Sequence, residues 1–234
     1  MEKAAIILAK KPDDADATLL KGSVLMAQQN TSEAIAVIEG LKQQASQKPE
    51  IYLLLATAYA RVKKPGRTEE ALKEGIAAHP DFVPLHLGLA RFYGESMQPD
   101  KAESAMRKVI ELDPDNIAYK FNLAELYWKE GRQAAAIDTV AEVIKSNPEN
   151  ERVFQVAARF YMGKNQIRQA ARVLEVGADA LPKSIPIRIM LGEVYLNQKN
   201  ADKAIVILES CLPLSKDPAN TGILNAKNAL AKVY

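Results

Sequence analysis

The chain has 234 residues, 48% of them hydrophobic and 26% charged, a balance that fits a folded protein and excludes a disordered one. Its 31 basic and 29 acidic residues leave a net charge of +2, so nothing chain-wide points to nucleic acid or an anionic membrane as partner. Cys211 is the single cysteine, which excludes an intrachain disulfide and a cysteine metal cluster, and no apolar run approaches the roughly 18 residues that suggest a membrane span.

Helix-forming Ala, Leu, Lys, Glu and Gln dominate, and no segment sustains a two-residue alternation of β-branched side chains, so helices are predicted throughout and no strand. Residues 2–10 lack the basic-then-apolar order of a signal peptide and match the last part of a helix that stops before Pro12. Pro80, Pro114, Pro148 and Pro182 then recur every 34 residues, each followed by polar residues and a new helical pattern. Proline inside a helix loses a hydrogen bond and clashes with the preceding turn, so regular prolines mark regular helix ends. The period divides the chain into residues 1–14, the end of a preceding unit, and six units at 15–48, 49–82, 83–116, 117–150, 151–184 and 185–218. A helix at 219–234 either opens a further unit or caps the array.

Aligned without gaps, the six units share three nearly invariant columns. One column reads Gly22, Ala56, Ala90, Ala124, Ala158, Gly192; three residues on it reads Leu25, Tyr59, Tyr93, Tyr127, Tyr161, Tyr195. Another reads Ala34, Thr68, Ala102, Ala136, Ala170, Ala204. Helical amphipathicity alone has a period of about 3.6 residues and cannot produce this. Small residues on both helices of a pair let the backbones approach, and the tyrosine ring covers the contact while its hydroxyl reaches the edge. Asp14, Asn116, Asn150 and Ser184 precede first helices as N-caps, and Pro99 fits the start of a second helix. Within hairpins, the segment from Lys63 to Gly66, and Gly131, Asn165 and Asn200, suit left-handed or tight turns.

Leu123-Ala124-x-x-Tyr127, then Ala136, then Pro148, resembles the tetratricopeptide repeat, over nearly the whole chain. The resemblance implies an all-α fold, an α-α superhelix (a tetratricopeptide solenoid) of antiparallel helix pairs whose first helices line a concave groove. The sequence departs from the family pattern where a large aromatic is usual early in the first helix: Thr18, Tyr52, His86, Lys120, Phe154 and Arg188 stand there. Lys21 breaks the column that continues Leu55, Leu89, Leu123, Ala157, Leu191, and Ser46 and Lys216 replace the closing proline. Leu230-Ala231-x-x-Tyr234 repeats the first-helix signature, displaced by five residues. The chain thus reads as opening and closing in mid-repeat, an excised portion of a longer array with Met1 an introduced start; the alternative is a natural cap with Asn225, Lys227, Asn228 and Lys232 outermost.

The groove columns implied by the resemblance read Leu19, Leu53, Leu87, Phe121, Gln155, Ile189, then Ser23, Thr57, Arg91, Glu125, Arg159, Glu193, then Met26, Ala60, Gly94, Trp128, Met162, Leu196. They predict an apolar floor crossed by an alternating charge line, Arg91, Glu125, Arg159 and Glu193. Those charges either pair as a ladder between neighbouring helices or are displaced by a ligand's own charges, which then set its register. Phe121 and the lone Trp128, two turns apart on one helix, either anchor a ligand near Met162 or pack as core. The Lys and Asn set with which some family members clamp a terminal carboxylate is not assembled here: Leu19, Ser23, Leu54, Pro84 and Gly88 occupy those columns, and Asn122 alone is insufficient.

Catalysis has no constellation to carry it. His79 falls in a turn and His86 in a core column, Cys211 shares a packing column with Val109 and Val143, and the glycines are isolated. The sequence therefore predicts a non-catalytic scaffold, without cofactor or metal, that binds another protein or peptide and inserts in no membrane. The competing reading is an assembly protein, like bacterial arrays of secretion, pilus or exopolysaccharide systems, acting through self-association of its terminal helices or through convex surfaces. Compartment stays open between cytoplasm and periplasm.

Overall fold

The computed structural model describes residues 14–44, 48–215, 217 and 220–231, and the chain comprises two compact units, Met1–Tyr119 and Lys120–Tyr234. The described residues form thirteen α-helices, a single 3-10 turn and no strand. The first unit holds α1 (Ala15–Ala27), α2 (Thr31–Gln44), α3 (Pro49–Arg61), α4 (Pro65–Ala78), α5 (Val83–Glu95) and α6 (Pro99–Leu112). The unit boundary falls within α7 (Ile117–Lys129), and α8 (Gln133–Ser146), α9 (Glu151–Gly163), α10 (Ile167–Ala180), α11 (Ile185–Asn197), α12 (Ala201–Glu209) and α13 (Thr221–Leu230) follow. Within each unit the helices pack as antiparallel pairs, one pair on the next, so the fold is an all-α tetratricopeptide-type solenoid.

The helix starts have local causes. Asp14 accepts the amide hydrogen of Ala17 at 2.9 Å, Asn116 that of Ala118 at 3.3 Å, Asn150 that of Arg152 at 3.1 Å and Ser184 that of Ile187 at 3.2 Å. Each such cap contributes about 1 kcal/mol by satisfying an orphan donor. Pro49, Pro65 and Pro99 open their helices, where a missing N–H costs nothing.

The small-residue column works by close approach. A Cβ on Gly22 would lie 2.7 Å from Ile38 Cγ1, and one on Gly192 would lie 2.6 Å from Leu208 Cγ. Ile38, Leu72, Met106, Val140, Leu174 and Leu208 form the facing column of second-helix aliphatics, all buried. A second pairing explains why the early aromatic column is degenerate. A Cβ on Gly75 would meet Tyr52 Cβ at 2.6 Å, and one on Gly177 would meet Phe154 Cγ at 2.8 Å. Where His86, Lys120 and Arg188 replace the aromatic, the same second-helix column carries Val109, Val143 and Cys211, all buried. A buried aromatic in the first column is thus matched by glycine in the second, as close packing demands. His86 hydrogen-bonds through Nε2 to the Pro80 carbonyl at 2.7 Å, which suits a structural histidine. Cys211 donates its Sγ–H to the Ile207 carbonyl at 3.6 Å, and burial pushes its thiol up, away from nucleophile chemistry.

The hairpin turns correct one expectation. Left-handed backbone recurs every 34 residues at Gln29, Lys63, Met97, Gly131, Asn165 and Lys199, with φ between 55° and 76°. Gly66 instead lies in the first turn of α4, and Asn200 is the N-cap of α12, accepting the Lys203 amide hydrogen at 3.2 Å. Five of the six left-handed residues carry a Cβ, which costs about 1–2 kcal/mol relative to glycine. Met97 is 90% exposed, so its side chain brings no packing in return. Met97→Gly is therefore expected to raise the unfolding free energy by about 1 kcal/mol and Gly131→Ala to lower it by a similar amount, both read from urea midpoints.

The tyrosine column joins successive repeats. Tyr59 donates to a Glu39 carboxylate, Tyr93 to Glu69 at 2.9 Å and Tyr195 to Glu175 at 2.6 Å, each acceptor lying on the second helix of the preceding repeat. Burial first, and then the carboxylate, hold these phenols above their ordinary range, Tyr59 at about 12. A phenol with a raised folded pKa stabilises the fold fully below its unfolded value, near 10, and loses that contribution as pH climbs toward the folded value. The urea midpoint is expected to fall between pH 10 and 12, and Tyr59→Phe should flatten that fall.

In the last repeat α12 has 9 residues where the other second helices have 14; Leu212–Leu214 follow as a 3-10 turn. Asn220 caps α13 through the Ile223 amide at 3.2 Å; Ile223, Ala226, Ala229 and Leu230 are buried, the last two clustering with Leu208 and against Ile189. Leu224, Asn225, Lys227 and Asn228 face outward. The predicted helix over residues 2–10, and Ser46, Lys216, Lys232 and Tyr234, lie outside the described residues.

Candidate functional site on the first-helix face

Two predicted groove residues of the first unit, Leu53 and Leu87, are half-buried. Arg91 is exposed, its Nε 3.9 Å from Glu95 on its own helix. The remaining predicted residues fall in the second unit, where α7, α9 and α11 carry them.

Phe121 is 5% exposed and belongs to the core, which corrects its place among the ligand-facing side chains. The column it occupies lies at the margin of the helix contacts, where leucine and glutamine stay half-buried, and a phenyl ring is long enough to reach inward. Trp128 is half-buried, its ring edge-to-face with Phe160 at 5.8 Å and 87°. Phe160 in turn meets Tyr161 at 5.3 Å. Met162, Ile189 and Leu196 are half-buried, while Asn122 is exposed. The tryptophan thus divides its surface between a core neighbour and solvent, as an amphipathic ring at the edge of a helix contact does.

The charge line does not form a ladder in this unit. Glu125 accepts a salt bridge from Lys164 Nζ at 2.6 Å, the two side chains 39% and 17% exposed. Lys164 also lies 5.6 Å from the Phe160 ring centre. Arg159 and Glu193 are exposed, and no ion pair among the described residues joins them to each other or Arg159 to Glu125. Lys164 is the C-cap of α9, so its stem runs back over Phe160 and reaches Glu125 more readily than Arg159 can. Gln155 donates from Nε2 to Glu151 at 3.0 Å, and Glu151 also accepts from Ser184 Oγ at 2.6 Å.

Phe160 and Lys164, in contact with Trp128 and Glu125, were not among the predicted residues. Phe160 adjoins the tyrosine column, and Lys164 ends the helix after Gly163; neither belongs to a column assigned to the groove. A cation just past a helix C-terminus was the available signal. Among the described residues, no group of three His, Cys, Asp or Glu side chains gathers as a metal site, and no helix is long and apolar enough to cross a membrane.

The fold is similar to that of a tetratricopeptide repeat protein from Parabacteroides merdae, at 14% identity and a TM-score of 0.56, covering 99% of this chain and 90% of that one. It is similar to pilF of Pseudomonas aeruginosa at 15% identity and a TM-score of 0.55, covering 95% and 100% of the two chains. PilW, a type IV pilus biogenesis factor, gives 16% identity, a TM-score of 0.52, and coverage of 91% and 98%. At such identities the likeness shows the fold alone. No curated protein matches the sequence. The family described as the cilia and flagella-associated protein 70 C-terminal domain matches residues 2–222. That match spans nearly the whole chain and agrees with the stacked helix pairs, so the chain belongs to this family of tetratricopeptide repeat domains.

Proposed function

We propose that the protein is a non-catalytic scaffold that holds a segment of another polypeptide against its first helices. Tetratricopeptide repeats are generally interaction modules without catalytic groups, and this chain offers a suitable surface in its second unit. The observation that carries the reading is the half-buried row Trp128, Met162 and Leu196, apolar and flanked by the exposed Arg159 and Glu193. Apolar area left partly open beside charge that makes no ion pair among the described residues is the composition of a recognition surface, an anchor region with a polar rim.

The test uses peptides selected from a random display library on the whole chain. Trp128→Ala/Met162→Ala is expected to weaken their binding by roughly 30-fold, the size of a hot-spot loss. Val176→Ala, an exposed position on the second helix α10, should leave binding unchanged. Equal effects of both variants, or none, would contradict the reading.

A further inference from the structure

The face of α9 carries a charge asymmetry that narrows the partner's chemistry. Arg152, Gln155, Arg159 and Met162 fall at intervals of three, four and three residues, one stripe along the helix. Arg152 and Arg159 are exposed, and neither guanidinium makes an ion pair among the described residues. Lys129, at the end of α7 beside Trp128, is a further exposed cation. Two nearby carboxylates are engaged, Glu125 by Lys164 and Glu151 by Ser184 and Gln155. The stripe thus presents positive charge ending in an apolar site, with Glu125 and Glu151 engaged and Glu193 left exposed on α11.

We propose that the segment held on this face is acidic and amphipathic, with internal carboxylates over Arg152 and Arg159 and an apolar side chain on Trp128 and Met162. The inference rests on the first-helix face being the working surface. Seven residues of α-helix separate the two arginines by about 10.5 Å along the axis, so the carboxylates recur at about that spacing, two turns of a helical partner. Glu193, exposed on α11, repels a continuation of the acidic stretch and favours a basic residue there. This mixed field also selects a peptide over a nucleic acid, whose phosphates repeat without interruption.

Trp128 is the only tryptophan, so its emission reports directly whether the site is filled. Random 16-residue peptides displayed on phage are selected on the whole chain and on Arg152→Glu/Arg159→Glu. Arg168→Glu/Arg172→Glu makes the same charge change at exposed positions of α10 and serves as the control. Peptides from the unaltered chain are expected to be acidic around an apolar residue and to shift Trp128 emission. They should lose at least about tenfold in affinity at low salt for the Arg152→Glu/Arg159→Glu chain and retain it for the control, with the difference shrinking at high salt. Selection on the charge-reversed chain should turn toward basic peptides. Peptides that shift Trp128 emission without acidic bias, or whose bias survives the reversal, would overturn this proposal and leave the face as the binding surface. Peptides that bind without changing Trp128 emission would overturn the face itself, and tight binding of single-stranded oligonucleotides in their place would overturn the choice of a peptide.

Discussion

Gly177→Val is expected to lower the unfolding free energy by about 1–3 kcal/mol, because the new side chain enters space that Phe154 fills. Even the first added carbon would sit 2.8 Å from Phe154 Cγ, and the ring is wholly buried. The diagnostic result is the cycle with Phe154→Ala. That truncation alone should cost about 3–5 kcal/mol through lost burial and a cavity, and in the double variant valine refills part of the space. The double variant should be at least about 1 kcal/mol more stable than the sum of the single changes allows. Gly40→Ala is the control, since a Cβ there meets nothing within 4 Å; removing a mid-helix glycine should stabilise by about 0.5–1 kcal/mol. Additive effects in the Phe154–Gly177 cycle would show that the two columns do not exchange volume.

Ala124→Trp is expected to be equally or more damaging. Ala124 is fully buried, in the column where Gly22 and Gly192 lie against Ile38 and Leu208, and its equivalent across the pair is Val140, also fully buried. An indole has no place there without forcing α7 from α8, at a cost of about 1–3 kcal/mol and upward. An unchanged urea midpoint would contradict the assigned repeat register.

These two expectations mark where the sequence spoke plainly. A column of alanine and glycine at a 34-residue period has one physical use, close helix approach, and the tyrosines and caps fall in the same register. The degenerate aromatic column looked like noise because its compensation lies 23 residues on: Tyr52 with Gly75, Phe154 with Gly177, Arg188 with Cys211. A large ring in one column leaves room only for glycine in the other, so neither column alone shows the pairing.

The site was harder to read. Column position says which way a Cβ points, not how far the side chain runs, so Phe121 counted with the exposed row although its ring turns into the core. The salt bridge between Lys164 and Glu125 was hidden for a related reason. Long side chains choose partners by reach, and a lysine at the end of α9 outcompeted the arginine that shared a column with Glu125. The left-handed turns were hidden by composition, since Gln29, Lys63, Met97 and Lys199 adopt a conformation that glycine or asparagine would advertise. The flanking helices impose that geometry at every hairpin.

The claim that the first helices of the second unit form the working surface is tested most directly by hydrogen exchange on the whole chain, with and without a display-selected peptide at saturation. Added protection is expected in α9, Glu151–Gly163, and α11, Ile185–Asn197, around Arg159, Met162 and Ile189. Protection gained instead in the second helices α8, α10 and α12, or nowhere, would contradict it.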